Sequence, residues 1–294
     1  MAELFLSELY IYPVKSAAGI AVQQAQLTAR GLQYDRRWMV VDSKGKFMTQ
    51  RRFPRMALIG VSVDDEARCL RLSAPGMPKL SVRVDFSMGL DLGVRDEPFN
   101  RVDVEVWGDR TTAIAVGPES QQWVTQFIGA ECQLVYMPDS CNRPTAHGQL
   151  GHDNLVSFAD GYPYLLISET SLAGLNQRLI AQAKEPVTMQ RFRPNFVIAG
   201  VSTPHEEDTW QQVQIGAAVF DLPKLCDRCS IPNVNPQTGD RSKEPTKTLS
   251  TYRYWDKGIW FGQNCAQPSN HQLTQSITLR VGDPVKVIAP NTPS

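Results

Sequence analysis

Two cysteines three positions apart, Cys226 and Cys229 in the stretch LPKLCDRCSIPNVNPQTGD, are the residues of this 294-residue chain best placed to do chemistry. A redox CxxC gains its reactivity at a helix N-terminus, where the dipole stabilises the first thiolate. Here Pro232, Asn233, Asn235 and Pro236 follow at once and argue against such a helix. A structural zinc site needs a second pair of ligands. Cys265 and His271 could complete a Cys3His set, but their spacing matches no standard finger. Two packed, inert thiols are the third reading. Against that one, Arg228 stands beside Cys229, and a neighbouring cation favours the thiolate that a soft metal takes as ligand. This points to a single sulfur holding a transition metal whose other ligands come from a cofactor.

Other positions carry charge suited to an anion. In YPVKSAAG, Lys15 and Ser16 precede a glycine-containing turn, where ammonium, hydroxyl and backbone N–H groups can hold a phosphate; a solvated turn is the alternative. The stretch YDRRWMVVDSKGKFMTQRRFPR gathers Arg36, Arg37, Arg51, Arg52 and Arg55 around one predicted hairpin. On alternating strands some of these point inward, where an unpaired charge is expensive, so an anionic ligand or carboxylates such as Asp35 must answer them. RFRPN places Arg193 and Asn195 at the mouth of an apolar strand, and WFGQN supplies Gly262 and Asn264 in a predicted loop. His147 and His152 lie near Cys141, but no third ligand is spaced to make a metal loop with them. There is no GxSxG elbow, GxGxxG loop or Walker loop.

Bulk composition narrows the class. The 30 basic and 30 acidic residues cancel, which argues against a general nucleic-acid or anionic-membrane surface. Within that balance arginine outnumbers lysine 20 to 10, and arginine is the side chain suited to bidentate capture of phosphate or carboxylate. No run approaches the roughly 18 apolar residues of a membrane span, and the N-terminus lacks the basic start and apolar centre of a signal peptide. A cytoplasmic protein is expected. Six scattered cysteines without a leader do not read as a disulfide framework.

The elements that must position these residues are mostly strands. Over the first 116 residues, runs such as LYIYPV, LIGVSV, CLRLSA, RVDVEVW and TAIAV alternate apolar with polar at spacings that predict an antiparallel sheet or barrel. DSKGK reads as a hairpin turn with Gly45 at positive φ. GPESQQWVTQFIG changes the period to that of a helix ended by Gly129, and a domain boundary is expected near residue 117. CQLVYM and PYLLIS predict strands; Ser168 is a good N-cap for a helix with Leu172, Leu175 and Leu179 on one face. NFVIAG, VQIGAAVFDLPK, SITLRV and PVKVIA predict further strands. Strands outnumber helices without alternating with them, so an α+β, mainly β, barrel-rich architecture in two parts is expected.

Taken in order, YPVKS, YDRRW with TQRRFPR, FADGYPYLLISETSL, RFRPN, CDRCSIPNVNPQTG and WFGQN closely resemble the motifs of the MOSC-domain molybdenum-cofactor proteins. The resemblance is to the bacterial YcbX-type branch, related to the mitochondrial amidoxime-reducing component, and runs from about residue 5 to 290. It implies a MOSC N-terminal β-barrel-like domain (1–117) and a MOSC β-barrel domain with a few helices (118–294), with molybdopterin-bound molybdenum between them. The family's metal-ligating cysteine matches Cys229, with Arg228 and the backbone at Asp227 flanking metal and pterin. Lys15, Ser16, Arg36, Arg193 and Asn195 match positions that hold the pterin and its phosphate. The backbone of Gly161 and Tyr162 and the side chain of Asn264 complete the implied pocket.

The implied reaction is two-electron reduction of N-hydroxylated compounds (amidoximes, hydroxylamines, N-hydroxylated purine bases) to the amine, the oxygen leaving as water. The same resemblance covers non-catalytic cofactor carriers and persulfide sulfur carriers. Relatives of the bacterial type carry a C-terminal iron–sulfur domain, whereas no cysteine cluster follows Cys265, so a separate ferredoxin-, flavoprotein- or cytochrome-type electron donor is expected. Asp227 stands where relatives often have serine, and SIPN replaces a threonine-bearing stretch.

Overall fold

The computed structural model describes residues 3–64, 66, 69–83, 101–145, 154–268 and 276–290. His147, His152 and His271, and with them the histidine metal loop and the His271 arm of a zinc site, lie outside the described residues.

The elements that frame the site are β1 (Phe5–Ile11), β2 (Trp38–Asp42), β3 (Arg101–Val106), β4 (Asp109–Ala115), α1 (Pro118–Ile128), β5 (Cys132–Tyr136), β6 (Tyr164–Ser168), α2 (Glu169–Ala181), β7 (Phe196–Ala199), β8 (Trp210–Ile215), β9 (Ala218–Asp227), α3 (Thr246–Ser250), β10 (Gly258–Ala266) and β11 (Val285–Pro290). A nine-stranded sheet runs in the order β11-β8-β9-β10-β6-β7-β1 and ends at the short strand Ile20–Ala21, with Tyr254–Trp255 pairing onto β10. A four-stranded sheet runs β2-β5-β4-β3. The expected mainly-β chain with a few helices is what is seen. The expected closure is not: both sheets are open paths among the described residues.

Strand sequences follow from burial. β2 is covered on both faces, Trp38 and Val40 packing into one apolar cluster and Met39 and Val41 into another, so it reads WMVV rather than alternating. β6 and β7 do the same in the larger sheet: Tyr164, Leu166, Phe196 and Ile198 face one cluster, Leu165, Ile167 and Val197 the other. Each strand so buried contributes side chains to two cores at once.

The two principal helices begin and end where their caps predict. Ser168 Oγ accepts the Ser171 N–H, and Leu175 and Leu179 are fully buried beneath α2. α1 stops at Gly129, which takes a left-handed φ of 77° and returns its N–H to the Thr125 carbonyl. β6, α2 and β7 form a parallel crossover, with Leu166 opposite Phe196. This departs from the non-alternating expectation, because a thirteen-residue helix is long enough to carry the chain back across the sheet. The run VQIGAAVFDLPK proves to be a hairpin rather than one strand, turning at Gly216 with φ 56° between β8 and β9. The chain also weaves across residue 117: β5 pairs with both β2 and β4, and α1 packs into the cluster beneath β2.

Candidate active site

A cleft of about 130 Å³, open to solvent, forms where β1 runs out, where β6 and β7 begin, and along β9 and β10. All the sequence-predicted positions line it: Lys15, Ser16, Arg36, Gly161, Tyr162, Arg193, Asn195, Asp227, Arg228, Cys229 and Asn264. Sequence distances of up to about 250 residues are closed by backbone bonds that sew the segments together. Arg36 N–H donates to the Tyr12 carbonyl at 2.9 Å, and Arg36 carbonyl accepts from Phe158 N–H at 2.8 Å. Lys15 N–H donates to the Trp38 carbonyl at 2.8 Å.

The cation cradle is built on Tyr12, a residue the sequence reading did not single out. Its buried ring lies between two guanidiniums, Arg193 at 4.3 Å and Arg36 at 4.7 Å from the centroid. Tyr12 is fixed in turn by its hydroxyl on the Pro194 carbonyl (3.0 Å) and by Asp35 accepting its N–H (2.8 Å). Asp35 also pairs with Arg36, whereas Arg193 bonds the Ala17 carbonyl and no carboxylate among the described residues. Burial pulls Arg193 down to about 10. Ser16, Arg36 and Arg193 hold left-handed backbone, with φ of 65°, 51° and 59°. Non-glycine residues reach that region only where the surrounding structure imposes it, and such residues cluster at functional sites.

Lys15 is 6% exposed, and its ammonium donates to the Phe158 carbonyl at 2.7 Å and to Asp160. Burial lowers its pKa, opposed by Asp160. Asp160 also accepts the Trp107 indole N–H at 2.9 Å. The arginine cluster of the β2 hairpin disperses. Arg36 and Arg51 line the cleft, Arg51 lying 4.4 Å over Trp107. Arg37 bonds Tyr136 and Asp139, and Arg52 and Arg55 cover Phe53 and Phe127.

Asn195 is fully buried and acts as a clamp: Oδ1 accepts from Leu165 N–H and from Arg36, and Nδ2 donates to the Tyr10 carbonyl. Asn264 sits inside β10, opposite Leu165 of β6 and Lys224 of β9, and donates to the Leu225 carbonyl at 3.2 Å. The predicted loop at WFGQN is therefore a strand. Gly262 is required within it because an added Cβ would lie 2.6 Å from Ile167 Cγ1.

At the cysteines, β9 carries the chain through Cys226 and Asp227, and a 3-10 turn at Ile231–Asn233 follows, with no helix. Asp227 accepts the Ile259 N–H at 3.1 Å. Arg228 does not serve Cys229 as the sequence suggested. Its Nη1 donates to Cys226 Sγ at 3.1 Å and its Nη2 to the Phe192 carbonyl at 2.8 Å, because β9 delivers Cys226 to that side. Burial pushes the Cys226 thiol up, and Arg228 works against it. Cys229, half-buried on the cleft wall, makes no hydrogen bond among the described residues.

Zinc fits poorly. Among the described residues no group of three or more His, Cys, Asp or Glu is placed to hold a metal ion. Cys265 is fully buried in one apolar cluster while Cys226 packs against another. An anionic, metal-bearing cofactor fits better. Lys15, Arg36, Arg51, Arg193 and Arg228 face only Asp160 and Asp227 among the lining residues. Among the described residues, Arg228 Nε and the Tyr162 and Tyr164 hydroxyls are buried without partners, which an incoming polar ligand would satisfy.

Two family models match the chain, and neither breaks at residue 117. Residues 3–131 match the model of the MOSC N-terminal beta barrel domain, and residues 153–286 that of the MOSC domain. The chain is 33% identical over 297 residues to mitochondrial amidoxime-reducing component 1 of Mus musculus, covering 96% of this chain and 82% of that protein. It is 32% identical over 295 residues to the Homo sapiens protein of that name, with 96% and 82% covered. It is also 33% identical over 275 residues to molybdenum cofactor sulfurase of Oryza sativa subsp. japonica, spanning 89% of this chain and 32% of that longer protein. Among the described residues no helix is long and apolar enough to cross a membrane.

Proposed function

The chain belongs to the MOSC-domain proteins, and from that premise we propose that it is a molybdenum-cofactor-dependent reductase that converts amidoximes, hydroxylamines and N-hydroxylated purine bases to their amines. One observation carries the reading: a thiol without a hydrogen bond among the described residues, Cys229, shares a solvent-open cleft with five cations drawn from distant parts of the chain. When bound, the cofactor supplies the two-electron redox chemistry, and the protein supplies a ligand, an anion cradle and an access route. In this reading Cys229 is the metal ligand. Lys15, Ser16, Arg36 and Arg193 hold the pterin phosphate, and Asn195 fixes the Arg36 side chain that does so. Gly161, Tyr162, Asp227, Arg228 and Asn264 complete the wall. Each turnover takes up electrons from a separate ferredoxin-, flavoprotein- or cytochrome-type donor, together with protons, and releases the hydroxyl oxygen as water.

Cys229→Ser tests this. Protein made in cofactor-competent cells is expected to contain molybdenum and fluorescent pterin and to reduce benzamidoxime with an artificial donor. The variant should fold, by circular dichroism, yet lose the activity. Equal reduction by the variant overturns the proposal. A second reading, a non-catalytic carrier of the cofactor or of a persulfide on Cys229, is favoured by the similarity to the sulfurase. A carrier would release its cofactor to an acceptor during gel filtration and show no turnover; the reductase retains it.

A further inference from the structure

Arg36 turns into the cleft; its neighbour Arg37 turns into a second cavity, which the proposed reaction does not use. That cavity, about 420 Å³ and open at its mouth, is lined by Arg30, Tyr34, Arg37, Trp38 and Tyr136 among others. Arg30 is only 8% exposed. Its Nη2 donates to the carbonyls of Asp139 (2.8 Å) and Cys141, and among the described residues its Nη1 reaches only the Met137 sulfur at 3.9 Å. Asp139, the one acidic residue among the described lining residues, is paired with Arg37 instead, at 2.7 Å, and is 61% exposed. No carboxylate among the described residues pairs with Arg30.

Carbonyl dipoles solvate a guanidinium but do not neutralise it, and a buried cation left without a counter-charge is costly. Burial and the proximity of Arg37 both weaken the hold of Arg30 on its proton, as expected for two like charges sharing one carboxylate. A second donor is also unanswered: Trp38, a lining residue, is fully buried, and its Nε1–H has no acceptor among the described residues. Buried donors of this kind are rare unless something else meets them.

We propose that this cavity is a binding site for a small organic oxyanion, a carboxylate or a phosphate monoester, gripped by Arg30 and Arg37 with the Trp38 indole N–H as a further donor. Both acids present oxygens that match guanidinium geometry. The site is separate from the cysteine-bearing cleft and does not depend on the activity proposed for it.

The Trp38 indole N–H reports on occupancy, because it gains an acceptor. In nitrogen–proton NMR spectra of the full chain, titration with benzoate or phenyl phosphate should shift one of the six tryptophan indole signals. That signal should be the one absent from W38F. Saturation by benzoate alone, phenyl phosphate alone, or both supports the site and identifies its preferred acid. Arg30→Gln should weaken binding by about tenfold or more, through loss of a charged bond, and Arg30→Lys by less. Arg193→Gln, in the other cleft, should leave it unchanged. Crystals of the wild-type chain soaked in 4-iodobenzoate should show iodine beside Arg30, a readout that does not depend on any variant folding. The proposal is overturned if no saturable shift of that signal occurs by about 10 mM of either acid. It also fails if the shift is the same in Arg30→Gln, or if iodine appears only in the cysteine cleft.

Discussion

Replacing Asn195 with alanine separates a residue that builds the cleft from one that merely lines it. The side chain is fully buried and makes three bonds: from Leu165 N–H (3.3 Å) and Arg36 Nη1 (3.3 Å) to Oδ1, and from Nδ2 to the Tyr10 carbonyl (3.1 Å). Truncation leaves two backbone groups, one on β6 and one on β1, without these partners, and opens a small cavity between three strands. Leaving a buried polar group unsatisfied costs about 1–3 kcal/mol, and these long bonds belong near the lower figure. With the cavity added, the expected loss is about 3–4 kcal/mol. That is a large part of the stability of an ordinary domain. Urea unfolding followed by circular dichroism measures it, with an unchanged m-value showing that the folded state keeps its compactness. Asn195→Asp keeps both accepted bonds but sets a carboxylate oxygen against the Tyr10 carbonyl in a fully buried site, so it should not restore wild-type stability. If the alanine variant unfolds within about 1 kcal/mol of wild type, Asn195 is not the clamp described and its place in the cleft must be explained by ligand contact alone.

Two further perturbations follow from the site's surroundings. Gly262→Ala combines a left-handed φ of 82° with a Cβ 2.6 Å from Ile167 Cγ1 and 2.9 Å from the Leu166 carbonyl, so it should destabilise by about 2–4 kcal/mol in the same assay. A loss below about 0.5 kcal/mol would show that β6 and β10 can separate there without cost. His205, whose ring nitrogens have no partners among the described residues, is held down to about 4 by burial and by the charges of Arg253 and Arg178. The unfolded chain therefore binds the proton first, and the stability this histidine lends at pH 7 is lost as pH falls from about 6.5 to 4, by about 1–2 kcal/mol after allowance for partial exposure. His205→Phe should remove that part of the acid sensitivity, and an unchanged slope of unfolding free energy against pH would refute the assignment.

Local patterns were legible wherever one physical effect dominated. The helical period and caps of α1 and α2 could be read, as could the hairpin after β2, where Gly45 has a φ of 74°. Strand partnership could not be read, since the same apolar alternation suits a barrel or an open sheet and nothing in PYLLIS or NFVIAG announces a parallel ladder. Gly216 and Gly262 show the limit from opposite sides: the first turns a hairpin inside what read as one strand, and the second lies in a strand that read as a loop. The cations and the cysteine pair drew notice by residue type, and the family resemblance is what singled out Cys229 and gathered Lys15, Arg36 and Arg193 into one pocket. Tyr12 and Asp160 were missed because the first looks like core and the second carries the wrong charge for an anion site; their roles appear only when Arg36, Arg193 and Lys15 are placed around them. Arg228 shows why adjacency in sequence misleads: a strand sends successive side chains to opposite sides, and this one meets Cys226.

The left-handed backbone at Ser16, Arg36 and Arg193 sets the terms on which this molecule can be improved or can drift. At each of the three positions glycine relieves about 1–2 kcal/mol of local conformational cost. At Arg36 and Arg193 the loss of the Asp35 pair, the Ala17 carbonyl bond and the cover of Tyr12 opposes that gain, whereas at Ser16 no described side-chain bond does. A library selected for thermal resilience alone would thus be drawn to glycine at Ser16 and would delete a hydroxyl from the cleft, so an engineer should hold that codon fixed and seek stability in the helices and strand hairpins instead.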